Sequence, residues 1–231
     1  MIATDRFVFI HLHKSGGTFV NECLLRFVPG AHRLGYHLPR TLIPSALSHR
    51  PVLGLARTPW SYYVSWYAFQ SSRPVPNALY RILSEDGRLG FEATIRNMLD
   101  LGTVDTHLDP LIAALPSQYS GYGLNVPGFA LASIRGTRVG FYAWLYRYMF
   151  SGGAGTLHVG RMENLRADLL EMLAAVGQPV AEPMRRFILQ HEPTNISSHR
   201  PYTECYSASL RDLVAERDGE IIAAQRCHFG D

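Results

Sequence analysis

The stretch FVFIHLHKSGGTFV, residues 7–20, runs from an apolar segment through a glycine turn into a second apolar segment. Residues 7–13 are rich in β-forming side chains and predict a buried strand. Residues 18–27 carry apolar side chains at helical spacing and predict a helix. A strand that turns through glycines into a helix N-terminus suits an anion, because the backbone N–H groups of the helix point at the ligand.

The turn contains Lys14, the only lysine in a chain whose other Lys+Arg residues are all arginine. An ammonium group is a compact charge that can reach a phosphate oxygen, and the Thr18 hydroxyl can bind the same group. Lys14 precedes the glycines, whereas the lysine of nucleotide triphosphatase loops follows them. The loop therefore predicts a site for one phosphate. An ordinary strand–turn–helix connection without a ligand is the alternative.

A second stretch, LARTPWSYYVSWY at residues 55–67, predicts another strand end followed by a helix. The strand covers 52–56, and Pro59 suits the first turn of a helix that reaches about Gln70. Arg57 lies at the strand end, and its planar fork together with the Ser65 hydroxyl suits a second phosphate. The alternative is that Arg57 forms an ordinary ion pair and Ser65 is a small buried residue.

The remaining pattern alternates strands with helices and predicts an α/β fold with a central, mostly parallel sheet flanked by helices. Ligands of such sheets bind beyond the carboxyl ends of the strands, where both stretches lie. The other predicted elements are a strand at 156–159, helices at 91–101, 139–150, 163–176 and 207–226, and an irregular segment at 102–138.

The composition favours a single cytoplasmic domain. The chain has 231 residues, 47% of them hydrophobic, which is enough for one substantial core. The net charge of +3 is scattered, so a nucleic-acid surface is not indicated. The three cysteines, Cys23, Cys205 and Cys227, are odd in number and show no CxxC spacing, which favours a reducing compartment and no structural metal. Neither a signal peptide nor a membrane span is expected.

The two stretches resemble motifs of the sulfotransferases that use 3′-phosphoadenosine-5′-phosphosulfate. HLHKSGGT is similar to the family's 5′-phosphosulfate loop, and RTPWSYYVSWY is similar to its 3′-phosphate motif. VGRMENLRADLLEMLAAVG resembles a late strand and helix of the family, and NISSHRPYTECYSASLRDLVAERDGEIIAAQRCHFG resembles its closing loop and last helix. The resemblance is closest to the carbohydrate sulfotransferase branch and weakest over residues 72–138.

The resemblance implies a P-loop-like fold in one domain, 1–231, that transfers a sulfuryl group to a hydroxyl, or less often an amine, of a carbohydrate or other small acceptor. The product is 3′,5′-ADP, and no metal, nucleic acid or membrane is involved. Residues 72–138 are expected to bind the acceptor, and 191–206 to cover the donor. The implied donor-binding residues are Lys14, Ser15, Gly16, Gly17, Thr18, Phe19, Arg57, Ser65, Ser197, His199, Arg200 and Tyr202.

Catalysis in this interpretation needs a base and a cation. Lys14 stabilises the leaving phosphate, and His37, between the two phosphate motifs, is the predicted general base because histidine titrates near neutral pH. Glu22, one helical turn after Thr18, is the second candidate. His11 and His13, two residues apart, share a strand face and are expected to have supporting roles.

Three residues depart from the family pattern: His13 replaces proline, Thr58 replaces Asp or Asn, and Tyr62 replaces a second arginine. The last change removes a charge from the 3′-phosphate site unless Arg161 or Arg200 supplies it. Two other functions remain open. One is an atypical small-molecule or nucleotide kinase, which needs a Mg²⁺-binding carboxylate after a strand. The other is a non-catalytic nucleotide-binding protein of the same fold.

Overall fold

The computed structural model describes residues 1–192 and 199–231. Residues 193–198, which include the predicted donor ligand Ser197, lie outside the described residues. The chain divides into two compact units. The first unit consists of Met1–Arg57 and Tyr146–Ile196, and the second of Thr58–Leu145 and Ser197–Asp231. The single domain stays a prediction, because a compact unit need not be an independently folding domain.

The described residues form an α/β structure of one five-stranded sheet and eleven α-helices. The strands are β1 (Ile2–Ala3), β2 (Val8–Ile10), β3 (His32–Arg33), β4 (Val52–Ala56) and β5 (Leu157–Arg161). The helices are α1 (Gly17–Phe27), α2 (Pro59–Ser71), α3 (Ala78–Leu83), α4 (Phe91–Leu99), α5 (Asp105–Ala114), α6 (Gly128–Leu131), α7 (Phe141–Phe150), α8 (Leu165–Ala175), α9 (Glu182–Gln190), α10 (Ala208–Arg217) and α11 (Gly219–Gln225).

The sheet belongs to the first unit and has the order β3-β1-β2-β4-β5. β2 pairs with β4 and β4 with β5 in parallel, whereas β1 pairs with both β2 and β3 in antiparallel orientation. Among the described residues the sheet is therefore mixed, and the predicted predominance of parallel pairing is not confirmed. The difference arises from β1 and β3, two-residue strands that are too short to give a periodic sequence pattern.

Both faces of β4 are covered within the first unit. Leu53 and Leu55 join an apolar cluster on one face with Phe9 of β2. Gly54 points to the other face, where an added Cβ atom would lie 2.3 Å from a ring carbon of Phe150. Three helices contribute to the cluster through Val20 and Leu24 of α1, Leu169 and Leu173 of α8, and Phe187 and Ile188 of α9. Burial of each large apolar side chain contributes about 1.5–3 kcal/mol to folding.

The second unit contains a fully buried carboxyl group, that of Asp218, between α10 and α11. The Tyr63 hydroxyl donates to it at 2.7 Å, and the backbone N–H of Ala143 donates at 2.9 Å. Ala143 lies in the first turn of α7, so the carboxyl group accepts from an N–H that has no partner within that helix. Burial raises the pKa of Asp218 to about 7, against the opposing effect of the two hydrogen bonds.

Candidate functional site

The loop between β2 and α1 turns through two residues in the left-handed region, Lys14 with φ of 58° and Gly16 with φ of 73°. A left-handed conformation costs a residue with a side chain about 1–2 kcal/mol. Gly16 also packs closely: an added Cβ atom would lie 2.4 Å from Leu165 Cδ1 and 2.5 Å from Met162 Sδ. The strained position of Lys14, three residues before α1 begins, is typical of a functional loop.

The N-terminus of α1 has the features of an anion site. Gly16 is the N-cap and provides no side-chain hydrogen bond to the helix, and the first turn carries no acidic residue in the described structure. The first N–H groups of a helix have no partner within it, and the helix dipole adds positive potential there. Thr18 is exposed beside these groups. An anionic ligand is therefore the natural partner of this helix end.

Ser15 and Phe19, two predicted donor ligands, also stabilise the loop itself. The buried Ser15 hydroxyl donates to the His13 carbonyl oxygen at 3.2 Å. The backbone N–H of Phe19 donates to the Gly16 carbonyl oxygen at 3.1 Å, while its ring packs against Phe187 at a centroid distance of 5.3 Å. Any contact of these two residues with a ligand stays a prediction.

Gly17 is required by the position of His11. An added Cβ atom at Gly17 would lie 1.9 Å from His11 Cδ2. The His11 ring is buried, and its Nδ1 atom lies 3.1 Å from the Asn21 amide nitrogen. Because an amide nitrogen only donates, His11 Nδ1 accepts and the ring proton is on Nε2. Glycine at position 17 therefore allows α1 to begin directly against a fixed imidazole.

We expect Gly17→Ala to destabilise the protein by about 1–3 kcal/mol, because the fixed His11 ring leaves no room for a methyl group. Chemical denaturation would measure the change in the free energy of unfolding. Gly219→Ala is the matched control, since Gly219 also opens a helix but an added Cβ atom meets nothing within 4 Å. Equal stability of the two variants would contradict the expectation.

Two cations, Lys14 and Arg57, meet at the carboxyl edge of the parallel strands. Arg57 follows β4, and its Nη1 atom donates to the Lys14 carbonyl oxygen at 3.3 Å. Burial, together with the charge of Arg57, lowers the pKa of the half-buried Lys14 to about 8. Arg161 ends the neighbouring strand, in register with Ala56, and lies 3.9 Å from Asp168. The side chains of Lys14 and Arg57 therefore bring positive charge to this edge, which favours anions.

His37 is buried near the same loop and lies in the left-handed region, with φ of 44°. Its Nδ1 atom is 2.6 Å from the His11 carbonyl oxygen. Because a carbonyl oxygen only accepts, Nδ1 carries the proton and Nε2 of the neutral ring carries a lone pair. Burial, and then the nearby His13 and His11, lower the pKa of His37. The ring is therefore neutral at pH 7, with Nε2 able to accept a proton.

Three imidazoles form a cluster around His37. The His13 ring stacks on it at a centroid distance of 3.7 Å and an interplanar angle of 17°, and the His11 ring lies 4.2 Å away. Burial, with the charge of His13 as the next cause, lowers the pKa of His11 to about 3. The edge of the Tyr36 ring completes the enclosure at 4.0 Å.

Glu22, the second candidate base, is half-exposed on α1. Its carboxylate lies 3.9 Å from His191 Nε2, at the end of α9. The contact is an ion pair when His191 is protonated, and it connects two helices of the first unit. A catalytic role of Glu22 stays a prediction.

The other predicted ligands belong to the second unit, and their roles stay predictions. Ser65 is buried in α2. His199 and Arg200 are exposed, with His199 Nδ1 2.8 Å from the Arg200 carbonyl oxygen. The Tyr202 hydroxyl donates to the Asp231 carbonyl oxygen at 3.1 Å and accepts from the Gly230 N–H at 2.7 Å.

Tyr62, at the position where the sulfotransferase motif that this stretch resembles has a second arginine, is a core residue of the second unit. It is fully buried, and its ring stacks on Tyr142 at 3.7 Å with an interplanar angle of 12°. Its hydroxyl has no hydrogen-bond partner within residues 1–192 and 199–231. Burial raises the pKa of Tyr62 well above its ordinary value. An arginine could not occupy this position without placing its charge in an aromatic core.

Sequence reasoning did not identify the roles of Asn21 and Tyr36. Asn21 fixes the tautomer of His11 from one turn along α1, a position that its apolar periodicity cannot reveal. Tyr36 encloses His37 from the adjacent loop residue. In the described part of the chain, no group of three or more His, Cys, Asp or Glu side chains is placed to hold a metal ion. Over the same residues, no helix has the length and apolar character needed to cross a membrane.

No family model matches the chain, and a comparison with curated proteins gave no significant match. Three features of the site indicate an anionic ligand. They are a glycine turn, a helix N-terminus without an acidic residue in its first turn, and two cations at one sheet edge. This combination would suit an anionic ligand, and the neutral, buried His37 lies in the same unit.

Proposed function

We propose that this protein is a sulfotransferase that moves a sulfuryl group from 3′-phosphoadenosine-5′-phosphosulfate to a hydroxyl, or less often an amine, of a carbohydrate or other small acceptor. In this proposal the first unit is a P-loop-like fold, and the loop Lys14–Thr18 binds the 5′-phosphosulfate. The observation that carries the proposal is the hydrogen bond from Arg57 to the Lys14 carbonyl oxygen, beside the N-terminus of α1. This contact brings two cations close to the backbone N–H groups that open the helix.

The proposed reaction has simple requirements. The acceptor oxygen forms a bond to sulfur, the bond from sulfur to the 5′-phosphate oxygen breaks, and 3′,5′-ADP leaves with the bonding electron pair. The acceptor proton goes to Nε2 of His37, which carries a lone pair. In this proposal Lys14 stabilises the negative charge that builds on the leaving phosphate, and fixed charges of this kind usually lower the barrier most.

The low pKa of His37 is compatible with a base in this reaction. A base must be unprotonated before transfer, and burial ensures this at neutral pH. Nearby negative charge favours the protonated form of an imidazole and raises its pKa. A donor with several phosphate and sulfate charges would therefore make His37 more basic in the complex than in the free protein.

Ligand selectivity tests the proposal. We expect 3′,5′-ADP to raise the midpoint of thermal unfolding clearly, whereas 5′-AMP and ATP with Mg²⁺ give smaller shifts. Arg57→Gln should weaken 3′,5′-ADP binding by about 10- to 100-fold, the worth of a charged hydrogen bond, and should reduce 5′-AMP binding less. Titration calorimetry would measure both ligands.

Arg88→Gln is the control for this experiment, because Arg88 is an exposed surface arginine that contacts Glu85 at 3.4 Å. It should bind 3′,5′-ADP like the parent protein. A preference for ATP with Mg²⁺ would contradict the sulfotransferase proposal and support a kinase. Selective 3′,5′-ADP binding without transfer to any acceptor would instead indicate a non-catalytic binding protein.

A further inference from the structure

The stack of His13 on His37 is the closest ring contact in the imidazole cluster. The centroids are 3.7 Å apart and the planes differ by 17°, whereas the His11 ring lies at 4.2 Å with planes at 53°. Both His13 and His37 are buried, so the stack is shielded from water. His11 and His13 both lie beyond the end of β2, and both rings contact the His37 ring.

Stacked rings cannot pass a proton to each other. The N–H bonds of imidazole lie in the ring plane, so a face-to-face partner receives none of them. The Nδ1–H bond of His37 is also directed at the His11 carbonyl oxygen, which is not a proton carrier. Direct proton transfer between the His13 and His37 rings is therefore excluded by geometry, and His13 needs another explanation.

The orientation of the His37 ring depends on its neighbours. Rotation about the Cβ–Cγ bond of histidine has broad, two-fold preferences, so the bond itself does not select one ring plane. Residues 35–38 form no helix or strand that would hold the ring. The hydrogen bond from Nδ1 to the His11 carbonyl oxygen at 2.6 Å and the rings of Tyr36, His11 and His13 restrict it, and of these three rings only His13 lies nearly parallel to His37. A single hydrogen bond permits tilting about its axis, and the stacked ring removes that freedom.

We propose that His13 is a positioning residue, whose ring face holds the His37 imidazole in the plane that keeps the proton on Nδ1 and the lone pair on Nε2. This inference rests on the proposed function in one respect: the fixed lone pair is the one that accepts the acceptor proton. This role requires only a flat ring at position 13 and does not depend on the protonation state of His13.

The other groups around His37 do not lie face to face with its ring. His11, His13 and the amino group of Met1 each disfavour the protonated ring through their own charge, and Tyr36 meets it edge-on. A variant at position 13 that retains a flat ring but cannot ionise separates the two effects. Phenylalanine supplies the ring face, and leucine supplies similar apolar volume without a plane.

The test compares His13→Phe with His13→Leu by two measurements. The first is the ¹⁵N NMR spectrum of the His37 ring, assigned by its loss in His37→Gln. We expect His13→Phe to keep the single Nδ1–H form, and His13→Leu to give a mixture of tautomers. The second is turnover, where His13→Leu should lower kcat by about 10- to 100-fold with little change in donor KM, since small misplacements of a reacting group have costs of this order. His13→Phe should stay near the parent kcat.

Three outcomes overturn the inference. His13→Leu retains the single tautomer and the parent kcat, or both variants lose the Nδ1–H form equally, or both lose kcat equally. Denaturation curves for both variants identify any general unfolding, and His13→Tyr then replaces a variant that does not fold. If the parent protein transfers no sulfuryl group, the proposed function fails, but the NMR comparison still decides whether His13 sets the His37 plane.

Discussion

Lys14→Arg is expected to lower kcat by about 100-fold or more, the usual cost of losing one group that stabilises charge in the transition state. Binding of 3′,5′-ADP should change far less, because the positive charge is retained. Lys14 is half-buried in a left-handed turn. In the proposed complex, we expect the broad, planar guanidinium group of arginine to contact the oxygen between sulfur and the 5′-phosphate less well than the slim ammonium group of lysine does. Steady-state kinetics and titration calorimetry would separate the two effects.

The reciprocal change, Arg57→Lys, is the matched control because it also conserves charge at the same sheet edge. It should weaken 3′,5′-ADP binding more than it lowers kcat, since a fork that grips a terminal phosphate is lost. Turnover of Lys14→Arg at the parent rate would show that the lone lysine reflects arginine-rich composition and has no special role.

The pKa of Lys14 adds a second criterion to this experiment. Lys14 has a pKa of about 8 in the free protein, so its charge is present below that pH and is lost above it. Affinity for 3′,5′-ADP should therefore fall as the pH rises through 8 in the parent protein. Arginine remains charged throughout this range. The Lys14→Arg variant should accordingly bind 3′,5′-ADP with no such decline between pH 7 and about 9.

The sequence predicts best those elements that are long and fully buried. β4 and α1 were predicted within a residue or two of their bounds, because their apolar side chains follow one period throughout. Two predictions were wrong for identifiable reasons. Residues 102–138 were predicted to be irregular, but they contain the helix α5. Its internal Pro110 argues against a helix in the sequence. In the structure, Arg135 contacts the Asp105 and Asp109 side chains, which lie one helical turn apart on α5.

The second wrong prediction concerned the C-terminal helix. The segment 207–226 has helical character throughout, but the structure divides it at Asp218 into α10 and α11. The division has a tertiary cause, since the Asp218 carboxyl group turns inward to accept from Tyr63 and from the start of α7. Local propensity contains no information about partners 75 and 155 residues away in the chain.

The sequence likewise predicted only part of the candidate site. Lys14 and Arg57, 43 residues apart, were both predicted to lie at the carboxyl ends of strands, where ligands of parallel sheets bind, and Arg57 contacts the Lys14 carbonyl oxygen. The stack of His13 on His37 and the aromatic burial of Tyr62 were not predictable in this way. Both depend on how loop and helix side chains pack, for which short motifs give no rule.

His37→Gln is expected to lower kcat by about 10²- to 10⁴-fold, the usual worth of a general base. Affinity for 3′,5′-ADP should stay within about 3-fold, because no donor group needs this side chain. His32→Gln is the matched control: His32 Nδ1 also lies near a carbonyl oxygen, that of Gly30 at 2.9 Å, but the residue is exposed. Single-turnover transfer to an acceptor hydroxyl would measure the chemical step directly.

The pH dependence distinguishes a buried base from an ordinary one. A base acts only when unprotonated, and burial lowers the pKa of His37 in the free protein. The acidic limb of kcat/KM, which reports the free protein, should therefore lie below the ordinary histidine value of about 6.5. A bound anionic donor should raise that pKa, so the acidic limb of kcat should lie at higher pH than that of kcat/KM. Unchanged turnover in His37→Gln would remove His37 as the base, and Glu22→Gln would then be the decisive variant, since that carboxylate is one helical turn from Thr18.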